Sequence, residues 1–111
     1  MNRNKLLNLF ISNLSNVIVH KVLEKAIDNP EIANVYSKEI KNSFNIAKNY
    51  REKINPIDKI LPAHDIKNVR DKIINKVKTE LNLRITRGYV NIDLSPVENL
   101  IDNYLRELHI I

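Results

Sequence analysis

The side chains that could act on a substrate or hold a metal are few in this chain, and their spacings match no familiar catalytic pattern. Histidines occur at His20, His64 and His109. His20 and Glu24 are four residues apart, which on a helix places imidazole and carboxylate on one face and would let them share a metal. A metal site needs a third ligand and no neighbour supplies one, so the expectation is a surface pair and no bound metal. His64-Asp65 could form an acid–base dyad, but it stands where a helix begins and reads better as part of the helix start. Glu98 and Asp102 are carboxylates at helical spacing, and Asp58 and Asp65 lie near a connector. Without a pocket to separate their pKa values, such pairs are solvated. Arg106 precedes His109 by three residues, closer than the Arg–His pair of helical ribonucleases.

Gly88 is the only glycine of the 111 residues, and this removes the glycine-rich phosphate loop, the dinucleotide fingerprint and the nucleophile elbow. The absence of cysteine removes disulfides and thiolate chemistry. No catalytic residue, cofactor or small-molecule substrate is expected, and the chain reads as a non-enzyme.

The elements that would position these groups follow from periodicity. Leu7, Phe10, Ile11, Leu14, Ile18, Val22 and Ala26 recur in threes and fours and predict a helix with one core-facing side. Asn29-Pro30-Glu31 is a helix start, and Ile32, Ala33, Tyr36, Ile40, Phe44, Ala47, Tyr50 and Ile54 carry a second helix to the stop at Asn55-Pro56. Ile57, Ile60 and Leu61 form a packed connector or a single turn. A third helix starts at His64 or Asp65, with Ile66, Val69, Ile73, Val77 and Leu81 inward. Ser95-Pro96-Val97-Glu98 has the form of a capping box, and Val97, Leu100, Ile101, Tyr104, Leu105, Leu108 and Ile111 mark a last helix.

Residues 81–94 read two ways. Leu81, Leu83 and Ile85, then Val90, Ile92 and Leu94, alternate with polar residues as half-buried strands do, and a hairpin turning at Thr86 to Tyr89 would make a winged-helix-like α+β domain. Leu81 and Ile85 also continue the helical spacing, with Gly88 as a helix stop. The preferred fold is all-α, a four-helix bundle-like single domain over 1–111, with the winged helix as the alternative.

Charge is uneven. The net charge is +5, distributed as +4 over residues 1–62, +4 over 63–88 and −3 over 89–111. Lys67, Arg70, Lys78, Arg84 and Arg87 form a candidate nucleic-acid-binding stripe, which a winged helix would use on phosphates. Asn and Ile each occur 17 times, Lys 12 times and Gln never, a bias that suggests AT-rich coding and weakens the meaning of any one lysine. Tyr89, beside the turn, is the one aromatic placed to be available for contact, although packing against the core is the reading preferred for it. Polar residues interrupt the first helix, so no membrane span is expected and a cytoplasmic location is read. The apolar ending Ile110-Ile111 either packs internally or forms a dimer interface. Function is thus read as a helical interaction module or small subunit of a larger, nucleic-acid-associated assembly, with a protein partner or a second copy. The alternative is a winged-helix DNA-binding protein using helix 65–80 and the 81–94 segment.

Overall fold

Asparagine starts the first two helices. In the computed structural model, which describes all 111 residues, Asn2 Oδ1 accepts from the Lys5 amide at 2.8 Å to open α1 (Arg3–Ala26), and Asn29 Oδ1 accepts from Glu31 at 2.9 Å to open α2 (Pro30–Ile54). Each bond satisfies an amide that has no partner within the helix. Pro30 follows at the first helical position, where its missing N–H costs nothing. Asn55 is extended and Pro56 prevents continuation. In the connector only Leu61 is buried, whereas Ile57 and Ile60 face solvent.

The third helix, α3, runs from Ala63 to Thr86 through most of the ambiguous segment. It ends as a Schellman motif: the Tyr89 amide donates to Arg84 O at 3.0 Å and the Gly88 amide to Ile85 O at 3.1 Å, with Gly88 at φ +98°. The hairpin alternative is therefore overturned, since no strand forms in 81–94. The helical bonds of Leu81 to Thr86 take up the backbone groups that a ladder would need, and Leu83 and Ile85 are exposed rather than forming one face of a sheet. A Cβ at Gly88 would meet nothing within 4 Å, so Gly88→Ala carries only the cost of positive φ. It is expected to lower stability by about 1 kcal/mol in urea denaturation.

The last helix, α4 (Val97–Glu107), does not begin with the predicted capping box. Ser95 is engaged by Asp93 instead: its hydroxyl donates to Asp93 Oδ1 at 2.8 Å and its amide at 3.0 Å. These bonds hold the Asp93 carboxyl below its ordinary pKa. Two residues is a tighter closure than the reach to the third helical position, and the local turn wins. Helix α4 also ends in a Schellman motif, with Ile110 donating to Leu105 O at 2.8 Å and His109 to Arg106 O at 3.0 Å. Here a non-glycine, His109, takes the left-handed position at φ 56°.

Arg51 explains how that strain is held. Its side chain is wholly buried on α2 and faces no carboxylate. Nε donates to Leu108 O at 2.7 Å, and Nη2 to His109 O at 2.8 Å and Lys59 O at 2.7 Å, while Nη1 bonds Asn55 through its side chain and, at 3.3 Å, its carbonyl. One guanidinium thus joins the end of α2, the connector and the turn after α4. Burial pulls its pKa below the usual guanidinium value, although such a group starts so high that it stays charged. Beside it the Leu61 amide donates to Ile110 O at 3.2 Å, and Ile110 is buried with Ile111 packed on the core. The apolar ending packs internally.

The core has 21 residues and is centred on α1, which packs on α2, α3 and α4, whereas α2 does not pack on α3. Helix α1 is therefore not one-sided. Val17, Val19 and Leu23 are buried along with the expected stripe, because α1 has neighbours on several sides. By length and composition alone α1 is long and apolar enough to cross a membrane, and most of that stretch is buried by the other helices.

Candidate binding site at the Gly88 end

Where α1 and α3 run side by side, each turns polar residues toward the other. Ser12, Ser15, Asn16 and His20 on α1 and Lys76, Thr79, Glu80 and Arg84 on α3 line a groove of about 460 Å³, in which Val19 is the sole apolar side chain. Spacings of three and four residues place each set on one helical face.

His20 does not meet Glu24, as its spacing had suggested. Its Nε2 lies 2.9 Å from Glu39 Oε2 on α2, and its ring stacks on Tyr36 with centroids 5.6 Å apart. Its half-buried side chain faces across to α2, so the tertiary partner prevails over the partner one turn along. No group of three or more His, Cys, Asp or Glu side chains gathers anywhere in the fold.

Tyr36 also lines a second, apolar cavity of about 280 Å³ with Leu23, Ala26, Ile27, Gly88, Tyr89 and Val90. The Schellman turn brings Tyr89 back over Arg84, whose guanidinium carbon is 5.6 Å from the ring centroid. The polar groove and the apolar cavity therefore adjoin through two stacked pairs, His20 on Tyr36 and Arg84 on Tyr89. Burial pushes the Tyr36 phenol above its ordinary pKa, and nearby Tyr89 adds to this while Arg84 opposes it.

The five basic residues read as a nucleic-acid stripe are separated by the structure. Arg70 forms a bidentate pair with Asp102 of α4 at 2.8 and 3.2 Å, with Glu98 3.9 Å away. The Glu98–Asp102 pair thus shares one arginine, whose hydrogen bonds hold Asp102 below the usual carboxylate range. Arg84 belongs to the groove, with Glu80 at 3.5 Å. Lys67 and Arg87 are exposed and Lys78 is half-buried. Lys67 and Lys78 share a face, being eleven residues or about three turns apart. His64 is exposed with Nε2 3.4 Å from Asp65, and Asp65 is held by Arg3 at 2.5 Å.

Sequence reasoning missed the grouping of His20, Glu39, Tyr36, Arg84 and Tyr89, because pairing across helices leaves no mark in spacing along one helix. A usable signal was the polar set Ser12, Ser15 and Asn16 in an otherwise apolar helix. The chain matches no protein-family model, no curated protein and no solved structure.

Proposed function

We propose that this chain is a non-catalytic helical interaction module, a small subunit or adaptor that receives a protein partner at the Gly88 end of the bundle. The observation that supports this is where apolar surface remains. Six of the ten exposed large hydrophobic residues, Ile32, Val35, Leu83, Ile85, Tyr89 and Val90, belong to the first turns of α2, the last turn of α3 and the loop after it. Val90, which lines the apolar cavity, is 71% exposed, and Val35, next to Tyr36 in the chain, is 52% exposed. Large apolar side chains gathered at one end of a small fold favour burial against a partner.

Sedimentation velocity at rising concentration tests this reading. Reversible self-association is expected, or capture of a partner by crosslinking in cell extract. Val35→Lys with Val90→Lys should abolish either one while changing stability by no more than about 0.5 kcal/mol. A chain that stays monomeric and crosslinks to nothing overturns it. Duplex binding in the winged-helix manner lacks its hairpin, and Arg70 and Arg84 are committed to contacts within the fold, so no observation favours that second reading.

A further inference from the structure

The two rims of the apolar cavity at the Gly88 end carry opposite charge. On the α2 side Asp28 follows Ile27, which lines the cavity, and Glu31 stands in the first turn of α2. On the α3 side Arg87 precedes Gly88, which lines it too. All three charged side chains are exposed, and none takes part in an ion pair within the fold. The other charges of this end are already engaged: Arg84 has Glu80 at 3.5 Å and lies against Tyr89, Glu39 has His20 at 2.9 Å, and Lys25 is near Asp93. Lys38 is about two turns along α2 from Glu31 and stands back from the end.

Helix ends by themselves favour these signs, acidic at a start and basic at a stop. They do not call for the apolar side chains between the two rims, Ile32, Val35, Tyr89 and Val90, which are 40 to 71% exposed. A surface with an acidic rim, an apolar middle and a basic rim is complementary to itself. In a two-fold contact the patch meets its own copy after half a turn, so each acidic rim faces a basic one and the apolar middles meet. Size then sets the strength. Helices of 24 residues are about 36 Å long, so the 40 Å axis of the molecule runs along α1 and α3, and the Gly88 end is a face of 23 by 23 Å, about 500 Å². Stable complexes bury about 800 Å² on each partner, which makes this contact weak and reversible.

We propose that the partner received at the Gly88 end is a second copy of this chain, docked about a two-fold axis. Asp28 and Glu31 of each copy face Arg87 of the other, and Val90 of each covers the other's apolar cavity. This rests on the reading of that end as an interaction surface and adds to it the identity of the partner.

Sedimentation velocity of the purified chain from about 10 μM to about 1 mM provides the test. A reversible monomer–dimer equilibrium is expected in that range, weaker at high salt. Reversing the acids, Asp28→Lys with Glu31→Lys, or the base, Arg87→Glu, should weaken self-association about tenfold. An equimolar mixture of the two variants should associate within about threefold of the parent, because opposite charges meet again at both contacts of the mixed dimer. Where circular dichroism shows a reversed chain unfolded, the neutral changes Glu31→Gln and Arg87→Gln take its place, and each should weaken self-association about threefold. The proposal is overturned if the parent is monomeric throughout at low salt, if the variants self-associate as tightly as the parent, or if the folded reversed chains stay apart when mixed. A monomeric parent that still crosslinks to a partner in cell extract, with Val35→Lys and Val90→Lys abolishing this, removes the second copy and leaves the interaction surface standing.

Discussion

Replacing Arg51 with methionine is expected to cost about 3–5 kcal/mol of stability, seen as a lower urea midpoint with an unchanged slope. Methionine fills much of the same space, so the loss isolates the hydrogen bonds. The Leu108 carbonyl would lose its charged donor inside the protein, an unsatisfied buried acceptor costing about 1–3 kcal/mol, and the part-buried bonds to His109 and Lys59 would be lost with it. The strained His109 would also lose the grip that offsets its left-handed backbone, worth about 1–2 kcal/mol more. Lysine should recover only part of this, because a compact ammonium cannot span three chain segments as a planar guanidinium does. A methionine variant within about 1 kcal/mol of the parent would mean that the three segments are held together by apolar packing alone.

Phe10→Ala should be of similar size, about 3–5 kcal/mol, and differ in kind. Phe10 is fully buried on α1, the helix through which α2 and α3 are joined, since those two do not pack on each other. A cavity there loosens both halves of the core together. Calorimetry should accordingly show one transition moved to lower temperature, and two separable transitions would contradict the central role of α1.

Several helix boundaries were legible from sequence because they rest on local chemistry: asparagine at the start of α2, prolines at 30 and 56, and glycine at the end of α3, whereas the Asn2 cap of α1 was not read. The choice between strand and helix for 81–94 was not settled by pattern, since Leu81, Leu83 and Ile85 fit period two while Leu81 and Ile85 also fit the helical period. The Schellman bonds decide it. Ser95 misled because Asp93, two residues upstream, competes for its hydroxyl. Arg51 had a visible signal: it continues the stripe of Ile40, Phe44, Ala47 and Ile54, where a charged residue must find partners indoors. Asn55 and Lys59 lie within eight positions, but its other two partners, Leu108 and His109, are more than fifty positions away, and no local rule supplies those. The same holds for His20, whose spacing offered Glu24 and whose tertiary neighbour is Glu39. Of the candidate basic stripe, sequence could show the charges but not that Asp102 and Glu80 already engage two of them.

The burial of α1 has a consequence for how this protein behaves outside its native state. A segment with the length and composition of a membrane-crossing helix is mostly covered by the three others, so α2, α3 and α4 act as its sheath. Slipping that sheath bares the apolar faces of α1, interrupted by Ser12, Asn13, Ser15 and Asn16, to any other copy nearby, and partly opened chains of that kind aggregate. For this fold, the packing that builds the core is also what keeps the apolar faces of α1 from meeting another copy.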